Sequence, residues 1–265
     1  MPKQMKQLKT CHADLRSLYD QNIKVRHVLE RLQSCNADDD ALIVREQLKK
    51  DDFDVLGVEE NGGVYGYVEQ SNLGTGRCIE YRRMFLPSEL VAESTPLLDL
   101  LTLLHDTPRM FVLDRNRVSG IVTRGDLQKA PVRMLLFGLV TLIEMHLLRL
   151  VRINYPEDSW RNLLGEARLN KAKELFAQRK ARNEAIDLAD CLQFCDKRKM
   201  VLKIPEIRDY IKKECGESGE LLLKSTEELR DKLAHAQDLV TGSTWPELID
   251  LVGKMERLLE LLEGI

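Results

Sequence analysis

The 265 residues carry 40 Lys and Arg against 43 Asp and Glu, a formal charge of −3, so no global basic field gathers nucleic acid and any RNA binding must be local. Apolar residues make up 43% and charged ones 31%, which excludes a disordered chain, and the length suits two ordinary domains. Six cysteines (Cys11, Cys35, Cys78, Cys191, Cys195 and Cys215) include no C-x-x-C pair and no His at zinc-finger spacing, so we expect reduced thiols in a cytoplasmic protein. Cys191 and Cys195 read as small buried hydrophobes one turn apart in a helical stretch.

The basic start over residues 1–6 has no apolar region after it, so no secretory signal is expected, and residues 1–20 read as an N-terminal helical extension. An internal repeat follows. Val64-Tyr65-Gly66-Tyr67-Val68-Glu69-Gln70-Ser71-Asn72-Leu73 aligns with Val118-Ser119-Gly120-Ile121-Val122-Thr123-Arg124-Gly125-Asp126-Leu127, keeping the glycine, the β-formers around it and the closing leucine at one offset. Each copy follows a strand and a turn: residues 55–58 with Asn61-Gly62-Gly63, and 110–113 with Asp114-Arg115-Asn116-Arg117. Both predict hairpins. Upstream lie short helical runs over 42–50 and 97–105, the second opened by Ser94-Thr95-Pro96. The predicted unit is strand, helix, strand, strand, helix.

From Pro131 the period becomes helical and a second domain begins. Residues 131–151 form an apolar helix. With Glu144 and Arg149 inside a run barely long enough to cross a bilayer, it reads as a buried interface helix and not a membrane span. A long charged helix is predicted over 161–190, another opens at Pro205 and runs through Cys215, and Gly216, Gly219 and Gly242 punctuate the remainder. Thr244-Trp245-Pro246-Glu247 fits a capping box. The last helix then carries Leu248, Val252, Met255, Leu259 and Leu262 as a seam suited to another helix.

The repeat, and above all Gly120-Ile121-Val122-Thr123-Arg124-Gly125-Asp126-Leu127, resembles the CBS domain family, over residues 21–132. The resemblance implies a tandem module that binds an adenine nucleotide such as AMP or ATP. The residues make chemical sense of it: a Thr hydroxyl and an Asp carboxylate three positions on, at a strand-to-helix turn, can hydrogen-bond the two hydroxyls of a ribose, and Arg124 between them can meet a phosphate. Asp126 can equally act as a helix cap alone. The first copy has Glu69 where Thr is wanted and Asn72 where Asp is wanted, and the Glu69 carboxylate would repel a phosphate, so one competent pocket is expected.

Near the end, Leu229-Arg230-Asp231-Lys232-Leu233-Ala234-His235 resembles the HEPN superfamily, over residues 133–265. That resemblance implies an all-helical, dimeric bundle and metal-independent cleavage of single-stranded RNA, with no cofactor for the chemistry. On a helical wheel Leu229, Leu233, Ala236 and Val240 form the packed stripe, leaving Arg230 and His235 outside the core. Asp231 and His235 share a face at i, i+4, so Asp231 can orient the imidazole or form a plain surface pair. His235 suits general acid–base work and Arg230 offers a fork to the crowded phosphate. Carboxylates and His/Cys groups at metal-ligand spacing are not evident, so no metal is expected. Residues 161–182 hold Arg161, Arg168, Lys171, Lys173, Arg179, Lys180 and Arg182 against Glu166 and Glu174, either a phosphate track or a solvated face.

The expected whole is an α+β protein, a CBS pair followed by an all-α bundle, working as a nucleotide-regulated endoribonuclease and homodimer. The alternative is a non-catalytic regulatory protein that senses adenine nucleotides.

Overall fold

The computed structural model describes residues 11–215 and 219–264; the basic start, Gly216 and the side chain of Cys215 lie outside the described residues. Residues 18–132 form one compact unit, and those from Arg133 on, with the described residues up to Ser17, form another. Helix α1 (His12–Asn22) is the first element among the described residues.

The first unit holds two copies of one pattern. Strand β1 (Glu30–Arg31) precedes β2 (Ser34–Asn36), α2 (Ala41–Asp51), β3 (Val55–Glu60) and β4 (Gly63–Glu69). The second copy runs β5 (Leu90–Ala92), α3 (Leu97–Asp106), β6 (Arg109–Asp114) and β7 (Arg117–Thr123). One sheet has the order β2-β3-β4 and the other β1-β7-β6-β5. In both, the first strand of the copy runs parallel to the second, the next two form a hairpin, and the hairpin register shifts one residue past the partner of the repeat glycine.

Local chemistry explains the repeat. Asn61 and Gly62 both take positive φ, 51° and 78°, which suits the two-residue hairpin turn their sequence signals. Asp40 caps α2 by accepting from the backbone N–H groups of Leu42 and Ile43 at 2.9 and 3.1 Å. The repeat glycines sit where other backbone comes close: a Cβ on Gly66 would land on the carbonyl of Arg83, and one on Gly120 would lie 2.9 Å from the carbonyl of Glu30. One core cluster gathers Cys35, Val44, Leu48, Val58, Val68 and Cys78, and a second gathers Leu32, Val55, Tyr67 and Phe111. Burial, with Cys78 beside it, pushes the Cys35 thiol up to about 12, so it stays a protonated core group.

The second unit is helical: α4 (Ala130–Asn154, beginning in the first unit), α5 (Glu166–Ala181), α6 (Phe194–Val201), α7 (Pro205–Cys215), α8 (Gly219–Ala234) and α9 (Trp245–Gly264). Among the described residues α4 is the one helix long and apolar enough to cross a membrane, and 56% of its most apolar stretch is buried within the protein, including Leu139, Ile143 and Leu147. The charged helix is shorter than the 161–190 expected. It starts after Gly165 and ends before Asn183, which takes the left-handed φ of 58° that stops a helix, and 3-10 turns flank it at Pro156–Leu163 and Leu188–Cys191. Cys191 therefore closes a 3-10 turn while Cys195 lies in α6, so the two do not share a helix.

The capping box at α9 forms as expected: Thr244 Oγ1 accepts from the Glu247 N–H at 3.4 Å, and the Glu247 carboxylate accepts from the Thr244 N–H at 2.7 Å. Leu248, Val252, Met255, Leu259 and Leu262 are all buried, and α9 packs on α7 and α8 of its own chain. The seam thus finds its partner internally and gives no argument for a second copy.

His146 on α4 is 3% exposed, and neither ring nitrogen has a hydrogen-bond partner. Glu263 of α9 lies 3.9 Å from Nε2. Burial first, and then the Arg149 guanidinium, push the imidazole pKa below its ordinary value, with Glu263 pulling the other way. The folded protein therefore holds fewer protons at this site than the unfolded chain, whose imidazole titrates near ~6.5. The stability this neutral histidine contributes is present above that value and is lost as pH falls from there through the folded pKa. Urea unfolding at pH 8 and 5.5 should show His146→Leu losing less stability on acidification than the wild type; equal losses would show that another group carries the dependence.

Candidate functional site

Thr123 closes β7, and a 3-10 turn, Arg124–Gln128, leads from it towards α4. Asp126 is 8% exposed. Its Oδ2 accepts from the Thr123 backbone N–H at 2.7 Å and from the Thr123 hydroxyl at 2.9 Å, while Lys129 Nζ lies 2.8 Å from Oδ1. Lys129 also donates to the Val28 carbonyl at 2.6 Å and pairs with Glu30; burial opposes its charge, but these carboxylates outweigh it and raise its pKa. The hydroxyl and carboxylate singled out in the sequence are thus together, and Asp126 caps the turn as well. A ribose diol would exchange the internal Thr123–Asp126 hydrogen bond for its own.

Arg124 lies elsewhere than expected. Its Nε donates to the Leu104 carbonyl at 2.8 Å and an Nη to the His105 carbonyl at 2.6 Å, so two of its three guanidinium nitrogens satisfy the C-terminal end of α3.

In the first copy Asn72 Nδ2 donates to Glu69 Oε2 at 2.9 Å, and Arg83 donates to the same oxygen at 2.6 Å. Arg109 of β6 takes the other oxygen, Oε1. Burial alone would raise the Glu69 pKa, but the hydrogen bonds from Arg109 and Arg83 outweigh it and hold the carboxyl below its usual range. The guanidinium carbons of Arg109 and Arg83 stand 5.4 and 5.8 Å from the ring centroid of Tyr67, which stacks with Phe85 and meets Phe111 at a tilt. The repulsive Glu69 carboxylate of the sequence reading is therefore neutralised by two arginines. Sequence reasoning missed both, because Arg109 stands on a strand of the other sheet and reaches Glu69 only in the folded unit.

The Arg230–His235 motif spans the end of α8, which stops at Ala234. Ala236 takes a φ of 51°, so the stripe expected to run through Ala236 and Val240 ends early; Leu222, Thr226 and Leu229 are its buried residues. Arg230 Nη1 donates to Asp231 Oδ1 at 2.8 Å. That bond, against burial and with help from Glu144 and Glu227, raises the guanidinium pKa. Asp231 thus pairs with Arg230, while its backbone carbonyl accepts from the His235 N–H at 3.1 Å. The His235 side chain is exposed. A cavity of about 680 Å³ beside the motif is lined by Glu228, Asp231, Lys232, Glu247, Asp250 and Lys254 among others, and excludes both Arg230 and His235.

Three of the seven cations of the basic run form ion pairs. Arg161 binds Asp158, Arg168 binds Asp196 at 2.9 Å, and Arg179 binds Glu184 at 2.6 Å.

Residues 84–133 match the family described as CBS domain. Similar solved structures include an uncharacterized conserved protein from Pyrococcus horikoshii, 17% identical, covering 42% of this chain and 94% of its own with a TM-score of 0.37. CBSX2 in complex with AMP is 17% identical, with 42% and 97% coverage and a TM-score of 0.37. The CBS domain of a bacterial CNNM/CorC family Mg2+ transporter in complex with ATP is 12% identical, with 44% and 91% coverage and a TM-score of 0.36. No curated protein matches the chain.

Proposed function

On a chain that carries a CBS domain, we propose an adenine-nucleotide sensor whose CBS pair, residues 21–132, controls a HEPN-like helical domain, residues 133–265. The observation that carries the sensing half is the Thr123 hydroxyl held against the Asp126 carboxylate at the end of β7. A ribose presents two adjacent hydroxyls, each able to donate and accept, and this pair answers both. Calorimetric titration with AMP and with ATP should give one site per chain. Asp126→Ala should weaken it by about 1–3 kcal/mol, up to roughly a hundredfold. Wild-type protein that binds neither nucleotide would overturn the sensing half.

The effector half of the proposal is metal-independent cleavage of single-stranded RNA by Arg230 and His235. Its support is their place outside the core, at the end of a helix, with an imidazole open to solvent. The RNA's own 2′-hydroxyl would attack the phosphate and expel the 5′-oxygen of the next nucleotide, leaving a 2′,3′-cyclic phosphate; His235 would carry the proton from the attacking to the leaving oxygen, and Arg230 would leave Asp231 to hold the charged phosphate. A homodimer would set two such pairs across one cleft. Incubation with mixed RNA in EDTA, with and without AMP or ATP, distinguishes this from the non-catalytic sensor.

A further inference from the structure

Arg124 stands inside the motif that would hold the ribose, yet its Nε and one Nη are held by the carbonyls of Leu104 and His105. A nucleotide seated at Thr123 and Asp126 needs its phosphate met by some other cation. Arg109 is the direct ladder partner of Thr123 across the β6–β7 hairpin. Directly opposed residues of an antiparallel pair project from the same sheet face, with Cβ atoms about 4.5–5.5 Å apart. Arg109 therefore rises beside the Thr123 hydroxyl on a side chain long enough to reach past a ribose. Its guanidinium is engaged by Glu69, a carboxylate that stands in the first copy where Thr123 stands in the second.

The Glu69 environment is that of a stand-in anion. Arg83 and Arg109 each take one of its oxygens, Asn72 adds a third donor, and both guanidinium groups lie over Tyr67. Two guanidinium forks converging on one anion are the arrangement that binds phosphate oxygens, and a carboxylate is the nearest side-chain equivalent. Glu69 is 18% exposed and Arg109 22%, so a ligand arriving from solvent can reach the pair.

We infer that Arg109 is the phosphate-binding residue of the Thr123–Asp126 site, and that Glu69 is an internal anion which occupies it until a phosphate-bearing ligand takes its place. The ligand's adenine and ribose rest on the sensing function proposed above; the exchange of Glu69 for a phosphate at Arg109 does not. Removing Glu69 should therefore strengthen binding of phosphates, and removing Arg109 should weaken it, with the nucleoside portion indifferent to both.

The test uses the full chain and three probes, AMP, adenosine and inorganic pyrophosphate, titrated into wild type, Arg109→Gln, Arg109→Lys and Glu69→Gln, each checked for folding by circular dichroism. Arg109→Gln should weaken AMP about tenfold to a hundredfold while leaving adenosine unchanged, and Arg109→Lys should fall between. Glu69→Gln should tighten AMP and pyrophosphate by about threefold to tenfold, as expected when an internal competitor is removed. If pyrophosphate follows this order while neither AMP nor adenosine binds, Arg109 is confirmed as the phosphate ligand and the adenine-sensing function falls. If Arg109→Gln weakens neither AMP nor pyrophosphate, or neither probe binds any form, the assignment is overturned.

Discussion

Cleavage of single-stranded RNA in EDTA should fall by about 10²–10⁴-fold when His235 is replaced by alanine, the scale of lost general acid–base help. Arg230→Ala should also abolish it, because the guanidinium is the motif's one donor fork for a pentacoordinate phosphate. Both variants should stay folded. His235 follows the last turn of α8 and is exposed, and Arg230 bonds a neighbouring residue on the same helix, so neither side chain fills the core. Products should carry 2′,3′-cyclic phosphate ends, read by their resistance to polyadenylation until the ends are repaired. A His235→Ala protein that cleaves at the wild-type rate would assign the activity to a contaminant. No cleavage with or without AMP or ATP would leave the chain a non-catalytic sensor.

Glu144→Ala should cost the helical unit about 3 kcal/mol, measured by urea unfolding followed in the far ultraviolet. Lys197 on α6 is 5% exposed, and its ammonium group bonds the Glu144 carboxylate of α4 at 2.8 Å. Removing the carboxylate leaves a cation in a nearly dry site. Replacing both, Glu144→Leu with Lys197→Met, should recover most of the loss, since hydrophobic replacement of a buried pair is often neutral or better. A single-variant loss below about 1 kcal/mol would mean that water or another carboxylate reaches Lys197.

The repeat unit was legible because its signals are local. Asn61 and Gly62 announce a turn, Asp40 caps its own helix, and Gly66 and Gly120 mark strands crossed by other backbone. The Thr123–Asp126 pair was legible for the same reason, its members lying three residues apart. Helix α6 lay in a stretch read as helical around Cys195 but without bounds, because Lys197 and Asp196 point inward and break the apolar period that would have marked them. The long charged helix was overextended because a solvated face tolerates charges on either side of Asn183, and nothing in that pattern marks the left-handed residue that ends it. Arg109 and Glu69 lie forty positions apart on strands of two different sheets, so only the folded unit reveals them as partners.

At the candidate effector site, residue types were legible and their company was not. The i, i+4 spacing of Asp231 and His235 assumes a helix through His235, and α8 stops one residue short. Asp231 turns to the adjacent Arg230 instead.

The position of Arg124 has a mechanical consequence. Its backbone belongs to the turn that carries Asp126, while its side chain grips the last carbonyls of α3 at Leu104 and His105. Turn and helix are thereby pinned at a joint, and any tilt imposed on the one must either drag the tail of the other or break two charge-assisted hydrogen bonds. A molecule docking against Thr123 and Asp126 thus has a lever in reach whose far arm is α3, and the residue expected to grasp the ligand is the rivet that holds that lever in place.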